Sequence, residues 1–546
     1  MSSSGKPLSA AKPAVGAFAP FSYGAFSLLW TATLISNTGT WMHDVGAGWL
    51  MTTMNPSPAV VTLVQAATTL PVFCFALLAG ALADRMNKRR MLIVINIILA
   101  GVVTILAALV WLGAMTPALL ILFTLAIGTG AAFAGPAMQA VVPQLVPREA
   151  LRPAIALNSM GINISRAIGP AVAGVLIASV GLAAPFAVNA LSFIVILAAL
   201  MVWHPDTPPP RRRHGSLGAD MATGLRHVRH NAAMLATVIR AAAFFLSASA
   251  YWSLLPLIAR GAEGGGAQLY GILMALIGAG AVTGALALPR LQRTFDANIV
   301  VRIGTGGTVL ALLIMAGAQI PVMLMAAAFL GGISWIAVLT SFNVSAQTAL
   351  PDWVRARGLA VFLMVFSGSM SFGSFLWGQI AQASSIRLAL LIAAAGLGVG
   401  LLATRRFAIG QGEALDYRPA AAWPQAPVPA EGQQDDQAAM VTVEYRIAEQ
   451  DRATFVGALT AAGTERMRNG ATAWHLHQSV EDPEIWLETF HLPSWTEHLE
   501  QHDRVTRSDM DAHTGLRRLH LHPDGPIVRH YIAPGQGAAS QTKDTT

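Results

Sequence analysis

Along the first 400 positions the apolar residues do not alternate with polar ones. They collect in long runs such as "MLIVINIILAGVVTILAALVWLGAM" and "LALLIAAAGLGVGLLA", separated by short stretches rich in Pro, Gly or Arg. A helix needs about 20 such residues to cross a bilayer core of about 30 Å. Segments of that kind fall at 26–54, 59–83, 91–113, 117–143, 153–180, 183–203, 233–259, 267–289, 299–319, 321–346, 358–382 and 386–404, so the pattern predicts twelve spans. Past them the rhythm changes. Residues 408–438 are rich in Pro, Ala and Gln and read as a linker. Then "MVTVEYRI" alternates as a strand, "DRATFVGALTAAGTERMRN" has a helical period, and "TAWHLHQSV" and "EIWLETFHL" are strand-like. "SWTEHLEQHDRVTRSDMDAH" is helical and "LRRLHLH" closes the series as a strand. The order β-α-β-β-α-β predicts a ferredoxin-like α+β domain.

The polar breaks fix a topology. The connections after spans 2, 4, 6, 8 and 10, with the first residues of the spans that follow them, carry 16 Lys and Arg, among them Arg85, Arg89, Arg90, Arg148, Arg211–Arg213, Arg290 and Arg355, while the other connections, counted in the same way, hold only Arg260 and Arg387. The positive-inside rule then puts both termini in the cytoplasm. The longest internal loop, "HPDTPPPRRRHGSLGADMATGLRHVRHN", divides the spans six and six, and its basic residues can lie against anionic headgroups. "QAVVPQLV" (Gln139, Pro143, Val146) recurs as "QTALPDWV" (Gln347, Pro351, Val354) 208 residues later, as two related halves would leave it. The expected division is a cytoplasmic N-terminal tail 1–25, bundles 26–203 and 233–407 joined by loop 204–232, linker 408–439, tail domain 440–535 and an end segment 536–546. The opening residues lack an apolar core of their own and read as a tail rather than a signal peptide.

Composition agrees: 54% of the 546 residues are hydrophobic and 12% charged, too few charges to cover a soluble protein of this size. Up to residue 407 there are 24 Lys and Arg against 8 Asp and Glu; beyond it there are 11 against 20. The basic balance therefore belongs to the membrane part, and no nucleic-acid partner is implied. The single cysteine, Cys74, rules out a disulfide framework. No Walker-type motif is present, so no ATP hydrolysis is expected.

Three stretches carry chemistry. Between spans 2 and 3, "GALADRMNKRR" places Gly80 where a helix can approach closely, and Asp84 where it can accept hydrogen bonds from a helix N-terminus or an arginine, beside Arg85, Arg89 and Arg90. Such a loop can latch one side of the bundle and release it in another state. It resembles the signature loop of the major facilitator superfamily, with Asn87 in place of the usual second glycine, a substitution tolerated because Asn also accepts left-handed backbone. "NISRAIGPAVAG" in span 5, with Gly169, Pro170 and Gly174, is similar to the Gly-Pro motif of that superfamily's proton-exchanging exporters. Together with "SNTGTWMHDVGAGWL", "PAMQAVVPQLVPREALRPAIALNSMGINISRAIGP" and "SWTEHLEQHDR", these stretches resemble the transmembrane secretion effector branch, which includes the enterobactin exporter. The resemblance implies a twelve-helix facilitator fold with a 6+6 pseudo-two-fold, in a bacterial inner membrane, exporting a small organic molecule such as a siderophore, drug or metabolite in exchange for protons.

Ionisable residues at membrane depth default to function. Asp44 in span 1 and Arg166 in span 5 are expected to pair, with His43 and Asn163 nearby. Such a pair suits either a proton carrier that opens during transport or a permanently ionised structural contact; a third reading has Asp44 merely hydrated near the outer interface. Arg240 lies near a helix end, where a structural role is expected. Gln65, Gln139, Asn189, Asn343 and Gln347 with scattered Met, Phe and Trp make a weakly polar lining that suits an amphipathic substrate.

The tail holds nine of the fourteen histidines, with His475 and His477 on one strand face, His520 and His522 on another, and His498 and His502 one turn apart. No cysteine, acid cluster or His-Glu-x-x-His pattern joins them, so no metal and no cofactor is expected. The tail resembles dimeric α+β barrel modules related to small monooxygenases, which implies a homodimer contact. The competing readings are uptake, or a membrane-anchored enzyme with the tail as catalyst.

Overall fold

The computed structural model describes residues 16–204, 217–410, 416–417, 437–523 and 525–533. The N-terminal tail before residue 16, the Arg211–Arg213 run, most of the linker and the end segment lie outside the described residues, as does the side chain of Asp84.

The first half is built from α1 (Gly24–Met54), α2 (Pro58–Arg85), α3 (Lys88–Trp111), α4 (Pro117–Val141), α5 (Leu151–Ser179) and α6 (Ala184–Val202). A short helix outside the spans, α7 (Leu217–Arg229), leads into the second half. There α8 (Ala232–Ser253) continues as α9 (Leu255–Gly261), followed by α10 (Ala267–Thr294), α11 (Ala297–Gly317), α12 (Pro321–Thr348), α13 (Arg355–Ala383) and α14 (Ile386–Ala403). Pro58, Pro117 and Pro321 open α2, α4 and α12, where the missing N–H costs nothing because the first turn has no intrahelical acceptor.

Among the described residues, eleven helices are long and apolar enough to cross a bilayer. The first helix, α1, has the length at 31 residues but not the hydropathy, because Ser36, Asn37, Thr38, Thr40, His43 and Asp44 dilute it. A helix this polar has its polar side turned to protein or to an aqueous path rather than to lipid.

The two halves repeat each other's packing. In the first, α1 lies on α5 and α6, α2 on α4, and α3 on α4 and α6; in the second, α8 lies on α13 and α14, α10 on α12, and α11 on α12 and α14. The halves join along two seams that exchange under the same two-fold, α2 with α13 and α5 with α10. Glycines set these approaches, since in lipid close van der Waals contact rather than water release drives helix association. Gly169 of α5 seats against Thr38 and Trp41 of α1, and Gly373 of α13 seats against Leu246 and Ser249 of α8. Gly174 meets the Cα of Gly271 across the α5–α10 seam, and Gly378 meets Thr62 across the α2–α13 seam.

The tail is a four-stranded antiparallel sheet in the order β2-β3-β1-β4, from β1 (Ala439–Arg446), β2 (Ala473–Gln478), β3 (Ile485–Leu492) and β4 (Ile527–Ile532). Helix α15 (Arg452–Arg468) packs Phe455 and Leu459 on Val441, Val443 and Phe490. Buried Glu488 is fully satisfied, accepting from Tyr445 Oη at 3.1 Å, Trp474 Nε1 at 3.0 Å and Arg466 Nε at 3.3 Å. The expected ferredoxin-like order is present, with two differences. The second helix is split into α16 (Trp495–Arg504) and α17 (Arg507–Arg518), because Thr506 and Asp509 form a capping box that starts a new helix. The closing strand is 527–532 rather than "LRRLHLH": α17 runs through Arg518, and of the following residues only His520 bridges to Ile447.

The tail docks on the end of the bundle that carries the Arg-rich connections, here the loop end. The guanidinium of Arg504 lies 4.2 Å over the ring of Trp353, and the His227 ring meets that indole edge-on at 5.4 Å. Nδ1 of His227 is 3.0 Å from the carbonyl of Arg468. Tyr417 Oη and Asn231 Nδ2 both donate to the carbonyl of Ala349, at 3.0 and 2.7 Å.

Candidate functional site

Asp44 lies about 30 Å along α1 from its start and about 15 Å from its end, at about 1.5 Å per residue. Among the described residues it has no ion pair and no hydrogen bond to its side chain. Its carboxylate lies close enough to Tyr270, at the start of α10, to act on that hydroxyl electrostatically. One turn further, Gly48 leaves room for the same tyrosine: a Cβ there would sit 2.9 Å from Oη. Trp49 stacks on the Tyr270 ring at 6.2 Å. Asp44 therefore faces the junction of the two halves.

Arg166 is not its partner. The guanidinium lies 5.3 Å over the ring of Trp41, and its Nε is buried without an acceptor. Trp41 takes the position on the α1–α5 contact that the expected salt bridge would have used. The contact is completed by Ser165, which donates to the carbonyl of Leu34 at 3.0 Å and receives a bond from Thr38 Oγ1 at 3.1 Å. His43 also points elsewhere. It is 1% exposed, neither ring nitrogen has a partner, and it meets Phe186 of α6 edge-on at 5.0 Å. The expectation that His43 joins Asp44 is thus corrected by the 100° turn between successive helical residues. Asn163 bonds back to Ser159 on its own helix at 2.9 Å.

Among the lining candidates, Gln139 near the end of α4 and Gln347 near the end of α12 are both exposed at the loop end, in the same place in the two halves. Gln65 is half-buried on α2, and Asn343 bonds to the carbonyl of Leu339 on its own helix at 3.1 Å. Asn189 does not line a path: it is fully buried between α6 and α1, against Gly39. Arg240 has the structural role expected of it, donating to Asn298 Oδ1 at 2.5 Å and to the carbonyl of Phe407.

After α2, Asn87 and Arg89 bond within their own half. Asn87 is extended (φ −67°, ψ 110°) and caps α3 by accepting from the Arg90 N–H, so its value here is as a cap rather than as a left-handed turn. Arg89 donates to the carbonyls of Leu200 and Met201 at 2.9 and 2.8 Å, closing the open C-terminus of α6. Gly80 faces Ala360 of α13, and a Cβ on it would stand 4.0 Å from that methyl.

At the far end the halves are held together. Arg260 donates to the carbonyl of Thr52, and Ser57 Oγ to Gln382 Oε1 at 2.7 Å. Beyond Trp49 lies a crevice of about 630 Å³, lined by Trp49, Thr53, Ile177, Leu182, Gln268 and Met325; Asp44 is not part of its lining. Sequence reasoning missed Tyr270 and an aromatic cluster in the second half. There Trp335 contacts Phe245 at 5.3 Å and Trp252 at 5.2 Å, and Phe245 contacts Phe366 at 4.6 Å. The signal for Tyr270 was a lone hydroxyl at the head of an apolar run.

The sequence profile of the transmembrane secretion effector family matches residues 15–537. The staphyloferrin A transporter of Staphylococcus aureus is 25% identical over 352 residues, covering 64% of this chain and 87% of the relative. The multidrug efflux pump Tap of Mycobacterium tuberculosis is 27% identical over 417 residues, 73% and 96% of the two chains. The enterobactin exporter EntS of Escherichia coli is 25% identical over 396 residues, 70% and 93% of the two. Among solved structures, a bacterial homologue of the human lysosomal transporter Spinster, inward-facing and unoccupied, superposes with a TM-score of 0.55 at 15% identity, over 73% of this chain and 98% of the other.

Proposed function

The chain belongs to the transmembrane secretion effector family of the major facilitator superfamily, and from that premise we propose that it is a proton-coupled exporter of amphipathic organic molecules, of siderophore or drug type, in a bacterial inner membrane. It is a secondary transporter and not an enzyme, so the bundle is the working part rather than an anchor for the tail. The observation that carries the coupling is Asp44: a carboxylate two-thirds of the way along α1, without a cationic partner among the described residues, on the face where α1 meets α10. A carboxylate in that setting is cheap to bury protonated and costly to bury charged. Taking a proton lets the seam close around it, and losing the proton favours the state that hydrates it.

The Arg-rich connections support a cytoplasmic position for the loop end, both termini and the tail. The bonds at the far end then support an inward-facing pathway, with Gln139 and Gln347 at its mouth and Gln65 and Asn343 further in. The Gly80–Arg90 loop, with Asp84, Arg85, Arg89 and Arg90, latches this end in the opposite state. Gly169, Pro170 and Gly174 set how closely α5 can follow α1 and α10 during the exchange. Arg166, held on Trp41, fixes α5 to α1 and keeps a positive charge near the path. The sheet face away from α15, with His475 and His477 exposed, fits a homodimer contact between tails.

The test is proton flux in inverted vesicles on adding a catecholate siderophore, a carboxylate siderophore or a lipophilic cation, with wild type beside Asp44→Asn. Substrate-driven proton release in wild type that falls at least about tenfold in the variant supports the reading. Unchanged coupling in the variant removes Asp44 from the proton path, and proton silence with every substrate removes the antiport mechanism.

A further inference from the structure

We propose that the tail holds a binding site for one divalent transition-metal ion of the zinc class, with His498, His502 and His530 as ligands. His498 and His502 stand one turn apart on the same face of α16, their ring centroids 4.7 Å apart. His530 arrives from β4, where it pairs with Val441 of β1, and its ring centroid lies 4.9 Å from that of His498. One nitrogen from each of the three rings lies within 4.8 Å of the others. Nitrogens around a tetrahedral ion with bonds of about 2.0–2.1 Å stand roughly 3.4 Å apart, a difference that small rotations of the rings close.

The site has features that histidine packing alone does not explain. His498 is fully buried, and neither of its ring nitrogens makes a well-formed hydrogen bond, although the Gln501 side chain lies close enough to act on the ring. A buried imidazole left with an unpaired N–H and an unpaired lone pair is costly, and metal ligation satisfies the lone pair. Gln501, 1% exposed and next to it on α16, likewise makes no well-formed hydrogen bond through either amide atom. Its carbonyl is the natural acceptor for the other N–H of His498, the outer hydrogen bond that metal-bound imidazoles make. Trp495 gives an apolar wall, 5.0 Å from His498 and 5.7 Å from His530 by ring centroids. His502 and His530 are only half-buried, so an ion can enter from their side and keep a water as its fourth ligand. Three imidazoles and no carboxylate favour zinc, cobalt, nickel or copper and disfavour magnesium and calcium. The i, i+4 pair is visible in sequence, but the third ligand comes from a strand 28 positions beyond it, which only the fold supplies.

The test uses the full-length protein in detergent, without a histidine tag and stripped by chelator, titrated with Co²⁺ and then Zn²⁺. Wild type takes up one equivalent of Co²⁺ with the visible absorption of a four-coordinate ion, and Zn²⁺ displaces it. His502→Ala and His530→Ala each weaken binding at least about 100-fold. His530→Cys retains the ion and adds a thiolate-to-cobalt charge-transfer band, which separates loss of a ligand from loss of the fold. Absence of stoichiometric binding in wild type, binding unchanged in both alanine variants, or a cysteine variant without the new band overturns the site.

Discussion

The two halves of the bundle have the same skeleton and different chemistry. Helices α1 and α8 begin 208 residues apart and pack on the same partners, and the glycine seats on Thr38 and Trp41 return as seats on Leu246 and Ser249 at that same offset. Yet Asp44 has Trp252 at its counterpart position, and Arg166, on a helix offset by 204, has Met370. The end of α2 and the loop after it carry Asp84 and the arginines, while "GALALPRLQRTF" at the end of α10 keeps Gly284 and Leu286 and has no acid. The repeat thus preserves what lets the halves move, and leaves each half free to hold one part of the work: charge in the first, aromatic surface in the second.

If the shared skeleton is the moving part, damage to either seam should have the largest effect, and the same effect. Gly271 leaves no space at the α5–α10 seam: a Cβ there would lie 2.8 Å from both the Cα of Gly174 and the carbonyl of Pro170, backbone atoms that cannot give way. Gly271→Leu is expected to abolish transport while the protein still inserts, and Gly378→Leu on the α2–α13 seam to do likewise. Transport assays at matched membrane expression check this. A variant of one seam that transports normally would mean that only the other seam moves.

The chemical difference predicts a split in kind. Asp44→Asn removes proton coupling, whereas Trp252→Ala at the equivalent place weakens apparent substrate affinity by about tenfold and leaves the protons moved per substrate unchanged. Large aromatic surface lost at a binding wall is worth roughly that much. Substrate-dependent proton flux measured against substrate concentration separates the two. Loss of coupling in Trp252→Ala would make the second half part of the proton path and erase the asymmetry.

How much of this was legible follows from where the information sits. Span positions, the six-plus-six division and the Gln-Pro-Val repeat are written in local hydropathy and spacing, so they can be read without a fold. The order of elements in the tail is equally local, and even its broken helix was signalled by Thr506 and Asp509, the spacing of a capping box. The Asp44–Arg166 pair could not be read in this way. Both residues do lie well inside touching helices, but which side chain fills the contact depends on helix rotation, and Trp41 fills it. The closing strand was misplaced because "LRRLHLH" alternates better than "IVRHYI". Pairing with β1, not alternation, selects the strand.

The last asymmetry is at the loop end, and its expected effect is the smallest. Trp353, on which the tail docks, occupies the position that Leu145 has in the first half, so this aromatic contact with the tail belongs to the second half. His227 is the titrating group in that contact. Burial, with the positive charges of Arg468 and Arg504 nearby, lowers its pKa to about 3 from an ordinary value of 6.5. A histidine kept neutral when docked stabilises docking fully above pH 6.5, and loses that contribution as pH falls below it, because the undocked ring takes up a proton that the docked ring refuses. The loss is at most tenfold in the docking equilibrium per pH unit, roughly 15-fold between pH 6.5 and 5. Hydrogen exchange at Trp353 and Asn469 is expected to accelerate over that interval in wild type and to stay flat in His227→Phe, which keeps the ring contact and cannot be protonated. Equal acceleration in both proteins would place the pH response elsewhere; none in either would mean that docking is too strong for one proton to move, and that the tail stays on the second half throughout the cycle.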